Sequence, residues 1–492
     1  MMSEMDKALQ IVYGKRSSII AVFQLLKLKT ACFKTTTPGK PSLLNRCGVF
    51  KIVPICQVGV LWVYLLEQVY VIASTDNTEK VGVFGSAALG SMLWSERKTA
   101  PVQTDSGKLS EKHGDQSPYE LKLVQVLFRH GARTPLKTIP DVMEAQWVPS
   151  LLKVPAHTQV NYIVTDLSGG PRPPAPVEDS YRASTLTGGT HPGQLTTVGM
   201  QQLYDLGKSL RKRYIEDVPF LTPEFNPTEV YVRSTNIVRT IESAKCLVAG
   251  LFHQKQRDVV PIVTTEAESE VLYPNYHSCR LLKLLSGHRW VESSQLPDIA
   301  RDLKKIQGAL GIAAHQRVDF ILIRDDMVAR ETHGLPCPPV LNTWRSTVEQ
   351  RAVDMICHIF EPSTRQNLQL CVGRVLNILV GNLEDKVQGV SSDTNRKLYL
   401  YSVHDTTLMP CLMALGIFDM KWPPYAAEIT VELHQHRVTK EAFVKVSYIG
   451  QDKLIPGCSG VYCPLKEFKK ALSAYSLTAD HYSSLCNQTP ED

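Results

Sequence analysis

The sequence predicts an α/β fold, with a mostly parallel sheet whose strands feed helices and two inserted blocks lying over it. Three observations predict it. Short apolar, β-branched runs occur at residues 121–128, 229–232 and 397–403. The first is apolar on both alternating faces, as in a sheet covered on both sides. Each run also ends in a cluster containing Arg or His, where open α/β sheets build their sites.

Residues 121–128 (LKLVQVLF) are interrupted only by Lys122 and Gln125 and run into Arg129-His130-Gly131. Over 197–214, Leu203, Leu206, Leu210 and Tyr214 recur at helical spacing, with Lys208, Arg211, Lys212 and Arg213 elsewhere on the surface. Residues 229–232 lead into Arg233-Ser234-Thr235. The spacing of Ile237, Ile241, Ala244, Val248 and Leu251 then predicts a helix that Ser234 or Thr235 can cap. Residues 397–403 (KLYLYSV) end at His404-Asp405. Leu408, Leu412 and Leu415 mark a short helix closed by Gly416, with Pro410 in first turns that need no N–H. Alternation over 428–433 and 443–448 predicts an antiparallel pair, with His434 and His436 exposed. The irregular or helical stretches 141–193 and 273–371 are the expected insertions, within a domain spanning 119–486 and followed by a tail at 487–492.

Composition narrows the function. In 492 residues, 43% are hydrophobic and 21% charged, which excludes wholesale disorder. Residues 1–100 hold 12 of the 54 basic and 6 of the 48 acidic residues, so the whole +6 net charge lies there. The body is balanced, which argues against a nucleic-acid partner. The first hundred residues are acid-poor up to Glu67 and carry apolar runs at 52–66 and 81–94. They are expected to be a targeting leader (1–98) that ends in a polar linker (99–118). Residues 1–80 would derive from an upstream start, and the alternative is a membrane anchor at about 52–73. Of twelve cysteines, nine lie in the body. Cys458 and Cys463 are close enough either to pair or to remain free thiols.

The chemistry concentrates in Arg129-His130-Gly131-Ala132-Arg133-Thr134-Pro135. Guanidinium forks match phosphate oxygens, and a histidine between them can attack phosphorus. The pattern resembles the signature of the histidine acid phosphatases, in the phosphoglycerate-mutase-like superfamily. So do Gln194-Leu195-Thr196 with Gly199, Arg233-Ser234-Thr235 with Arg239-Thr240, and His404-Asp405-Thr406-Thr407-Leu408. The resemblance implies a three-layer sandwich with an inserted, largely helical cap. It implies His130 as nucleophile and Asp405 as acid and then base. Arg129, Arg133, Arg233 and His404 would bind the phosphoryl group, and Arg239 would pack structurally behind Arg233. No metal or cofactor is implied, and an acidic optimum follows because Asp405 must start protonated.

Segments outside the site, among them Val271-Leu272-Tyr273-Pro274-Asn275-Tyr276 and Lys421-Trp422-Pro423-Pro424, resemble the branch of that family acting on lysophosphatidic acid. This implies a mitochondrial monomer with a lysophospholipid substrate and transient contact with a membrane surface. Two alternatives stay open: the same chemistry on an inositol phosphate or phosphoprotein, and a catalytically silent lipid-binding protein.

Overall fold

The computed structural model describes residues 117–253, 258–360, 365–389 and 395–488. The expected leader, the linker up to residue 116 and the tail beyond 488 lie outside the described residues. The strands are β1 Tyr119–Arg129, β2 Tyr162–Thr165, β3 Val230–Ser234, β4 Val260–Val263, β5 Leu398–Val403, β6 Glu428–His436, β7 Ala442–Tyr448, β8 Gln451–Lys453 and β9 Cys463–Pro464. They form one sheet in the order β2-β4-β3-β5-β1-β6-β7-β8, with β9 on β7. Strands β2 to β1 along that order are parallel, and the flank from β6 onward is antiparallel.

Strand β1 shows why the sheet is buried on both faces. Its side chains alternate, so Val124, Val126 and Phe128 enter one core while Leu123 and Leu127 enter the other. The first core is closed by α2 (Thr197–Arg211) and α3 (Val238–Phe252), which follow the short α1 (Pro176–Arg182). The second is closed by helices from the later half of the chain. Each fully buried Leu, Val or Phe contributes roughly 1.5–3 kcal/mol, which makes three layers stable. The buried Gln125 donates to Leu379 O and accepts from Asn382, so its polarity is satisfied.

The segment 273–371 contains α4 (Arg280–Gln295), α5 (Pro297–Leu310), α6 (Phe320–Thr332) and α7 (Pro339–Ile359). Helices α5, α6 and α7 enclose a core of their own, built on Ile306, Phe320, Met327 and Val348. Helix α8 (Arg365–Gln388) already belongs to the second sheet layer, as does α9 (Asp405–Ala414). The chain ends in α10 (Leu465–Leu472) and α11 (Ala479–Cys486).

Several local expectations change. The stretch 141–193 does not simply overlie the sheet, because β2 is its edge strand, paired with β4. Helix α3 starts after Ile237 with no cap from Ser234 or Thr235; Glu178 of α1 accepts its first N–H instead. Pro410 is the sixth residue of α9, beyond the turn whose N–H groups lack helical partners. His434 is buried, not exposed, and contacts Glu432 at 2.9 Å. Burial opposes ionisation of Glu432, but His434, Arg213, Lys445 and the Tyr214 hydroxyl bring its pKa to about 2. Cys458 pairs with Cys463, and a second disulfide joins Cys279 at the start of α4 to Cys486 at the end of α11. Among the described residues, no helix is long and apolar enough to cross a membrane.

Candidate active site

Strand register brings the clusters together. Arg129 of β1 pairs with Val403 of β5, and Ser234 of β3 pairs with Ser402. The residues that follow therefore emerge side by side at the carboxyl edge. The His130 N–H donates to Val403 O at 3.1 Å. Gly131 is required by approach rather than by a turn: an added Cβ would lie 2.3 Å from Gly199 O. Gly199 is equally constrained, 2.1 Å from Ala132 O. This glycine pair seats the start of α2 directly on the histidine loop.

His130 is 1% exposed. Its Nδ1 lies 2.9 Å from Gly131 O, and a carbonyl only accepts, so the proton sits on Nδ1 and Nε2 keeps a bare lone pair. Burial first, then Arg239, Arg129, Arg133 and His404, push its pKa well down. The imidazole stays neutral, hence nucleophilic, into acidic solution. His404 sits with its ring centroid 5.5 Å away, and its Nε2 meets Thr235 Oγ1 at 3.0 Å. Thr235 is in turn tied to Thr240 at 2.7 Å.

Asp405 opens α9, where the helix N-terminus favours a negative charge. Its Oδ2 meets Arg129 Nη2 at 2.7 Å and the Trp422 indole N–H at 3.0 Å. Its Oδ1 accepts from Thr406 N at 2.8 Å. Burial opposes ionisation, but Arg129, Arg133 and Trp422 outweigh it and hold the carboxyl well below the usual range. The resting carboxyl is therefore ionised, which departs from the expectation that it starts protonated. A phosphate dianion between the arginines would offset those cations, so protonation belongs to the loaded site.

The arginines divide into three situations. Arg129 also donates to Pro423 O and lies 4.4 Å from the Tyr425 ring. Arg133 is held in a fork by Asp325 of α6, at 2.8 and 3.3 Å, so the cap orients it. Arg233 is buried against Glu270 at 2.8 Å and also donates to Ser234 O and Val263 O. Arg239 is also buried, but its Nε and Nη1 have no hydrogen-bond partner. Its guanidinium lies 4.9 Å from the Tyr181 ring.

A cavity of about 240 Å³ is lined by His130, Arg133, Arg239, His404, Asp405 and Thr406. Leu136, Val177, Ile237, Pro274, Tyr273, Tyr276, Tyr181 and His277 complete the wall. Of the six residues expected to act on the phosphoryl group, His130, Arg133, His404 and Asp405 line this space. Arg129 stands behind Asp405, and Arg233 is tied to Glu270. Arg239 and not Arg233 lines the cavity, and it is Arg239 whose Nε and Nη1 lack hydrogen-bond partners. Asp325 and Trp422 carried no local signal for their roles. A buried nucleophilic imidazole, converging guanidiniums and a carboxyl form a phosphoryl-transfer arrangement. Among the described residues, no group of three or more His, Cys, Asp or Glu is placed to hold a metal ion.

The fold and this site define a class, and the chain belongs to it: the histidine phosphatase superfamily (branch 2), matched over residues 120–306 and 363–449. Lysophosphatidic acid phosphatase type 6 of Homo sapiens is 48% identical over 376 residues, covering 76% of this chain and 88% of that protein. The Mus musculus protein of the same name is 46% identical, covering 76% and 90%. Testicular acid phosphatase of Homo sapiens is 31% identical, covering 58% and 70%. Among solved structures, Hafnia alvei phytase in complex with myo-inositol hexakis sulphate superposes with a TM-score of 0.51 at 16% identity. That alignment covers 74% of this chain and 99% of the phytase, and it speaks for the fold alone.

Proposed function

We propose that this chain is a metal-independent acid phosphatase that hydrolyses lysophosphatidic acid to monoacylglycerol and phosphate through a phosphohistidine. The observation that carries the mechanism is the His130 tautomer: Nδ1–H is committed to Gly131 O, leaving Nε2 as the nucleophile in a cavity lined by Arg133 and Arg239. Nε2 forms a bond to phosphorus as the ester P–O bond breaks, and the leaving oxygen takes the proton of Asp405. In the second step Asp405 accepts a proton from water as its oxygen attacks phosphorus and frees Nε2. Arg133 and Arg239 hold the equatorial oxygens, His404 lies beside them with its Nε2 on Thr235, and Arg129 acts through Asp405.

The substrate class rests on the relatives' names and on the apolar wall of Leu136, Val177, Ile237 and Pro274, which suits an alkyl chain. The phytase fold keeps an inositol phosphate as the second reading. It is disfavoured because Arg133 and Arg239 are the sole Lys or Arg among the described residues lining the cavity.

Phosphate release by the purified chain tests this directly. We expect release from lysophosphatidic acid at pH 5, undiminished by EDTA, and little from inositol hexakisphosphate. The rate falls above about pH 6, where a phosphomonoester loses its second proton and the productive complex loses the proton Asp405 needs. Activity that depends on Mg²⁺ or Zn²⁺ defeats the proposal.

We also propose that the basic leader directs the chain to mitochondria. The surplus of six basic residues over residues 1–98 supports this reading. Carbonate extraction of fractionated cells is expected to release a shortened protein from mitochondria. A full-length protein that resists extraction would instead establish an anchor at 52–73.

A further inference from the structure

We propose that Trp422 is a positioning residue that fixes Oδ1 as the oxygen of Asp405 carrying the catalytic proton. The inference rests on the phosphohistidine reading above. A carboxylate oxygen offers two lone pairs. Those of Oδ2 are taken by Arg129 Nη2 at 2.7 Å and Trp422 Nε1 at 3.0 Å. Oδ1 accepts one bond, from Thr406 N at 2.8 Å, and keeps the second lone pair for a proton.

Trp422 is itself held. The Arg324 guanidinium lies 4.5 Å over its ring, and Arg324 Nε is paired with Glu349 at 2.6 Å. Arg324 belongs to α6 and Glu349 to α7, so the cap braces the indole against the carboxylate. The adjacent Pro423 O accepts from Arg129 Nη1 at 2.6 Å, so one short connection positions both partners of Oδ2.

The ionisable groups acting on Asp405 are Arg129 at the end of β1, Arg133 after it and His404 after β5; His130 and Arg239 of α3 line the same cavity, and Arg324 and Asp325 of α6 with Tyr425 surround Arg129 and Arg133. Among the partners of Oδ2, Trp422 is the neutral one. Its N–H can be deleted without changing the local charge. In the chemical step the Oδ1–H bond breaks as the leaving oxygen takes its proton. In hydrolysis Oδ1–H re-forms with a proton from the attacking water.

Trp422→Phe keeps a ring beneath Arg324 and removes the donor, whereas Trp422→Gln offers an amide donor without the ring. Single-turnover phosphoenzyme formation is followed by rapid quench from pH 4 to 8, with lysophosphatidic acid and with p-nitrophenyl phosphate. The nitrophenyl ester leaves without an acid, so Trp422→Phe should leave its rate within about twofold while slowing the alkyl ester roughly tenfold. Losing a donor to the ionised form raises a carboxyl pKa. The pH at which the alkyl-ester rate falls therefore moves upward in Trp422→Phe and returns toward the wild-type position in Trp422→Gln. Equal slowing of both esters, an unmoved limb, or identical limbs in the Phe and Gln variants would overturn the proposal. Wild-type protein that forms no phosphoenzyme overturns the underlying reading instead. The two failures are therefore distinct.

Discussion

His130→Ala abolishes turnover and phosphoenzyme, while Asp405→Asn still forms phosphoenzyme from p-nitrophenyl phosphate. The asymmetry follows from what each group supplies. His130 Nε2 is the atom that bonds to phosphorus, and its reactivity depends on the proton held at Nδ1 by Gly131 O. No neighbouring side chain replaces it: His404 points its Nε2 at Thr235, 3.0 Å away. Asp405 is needed to protonate a poor alkoxide, and its loss costs about 10²–10⁴-fold on such a leaving group. A nitrophenolate leaves unaided.

The Asn variant has a second, structural consequence. Its amide oxygen must take the place of Oδ2 to receive Arg129 and Trp422, so its NH₂ faces the Thr406 N–H. Two donors then oppose each other in a buried site, at about 1–3 kcal/mol. Thermal unfolding should record that modest loss alongside the quench experiment. Hydrolysis by His130→Ala at a measurable rate removes the phosphohistidine mechanism.

Strands β1, β3 and β5 were legible because burial on two faces leaves a continuous apolar run, and their ends pointed to the site because parallel register aligns them. The histidine loop and His404-Asp405 were legible because their side chains act near their own backbone. Gly131 was legible as part of the histidine loop, yet its reason is Gly199, a partner 68 positions away that sequence alone cannot place. Edge strand β2 was missed because Tyr162–Thr165 is four residues long and its burial is partial, leaving little pattern to detect. Asp325 orients Arg133 from 192 residues away, and Trp422 reaches Asp405 across the end of α9. Such partners are products of topology, not of local spacing.

The choice between Arg233 and Arg239 turns on the same physics and yields the sharpest test. Arg233 lies near the end of β3 and Arg239 in the first turn of α3, and the linear pattern assigned phosphate to Arg233 and packing to Arg239. Glu270, 37 residues on, takes Arg233 at 2.8 Å, with the two side chains 6% and 1% exposed. Glu270 also accepts from Val271 and Leu272 N–H groups, which fixes the start of the wall bearing Tyr273 and Tyr276. Arg239 has no such carboxylate partner, and its Nε and Nη1 are unpaired in the protein alone. Arg239→Ala is therefore expected to lower kcat/KM by about 10²–10³-fold, the usual loss for one donor to a developing oxyanion, with thermal stability nearly unchanged. Arg233→Ala leaves a buried carboxylate unpaired, which costs about 3–5 kcal/mol of stability. Its activity should fall chiefly as the fold loosens, and Glu270→Gln in the same background should recover part of the stability by removing the stranded charge. Kinetics and thermal unfolding on the three variants separate the roles. Full activity in Arg239→Ala, with a rate loss in a thermally unaltered Arg233→Ala, would return the phosphate to Arg233.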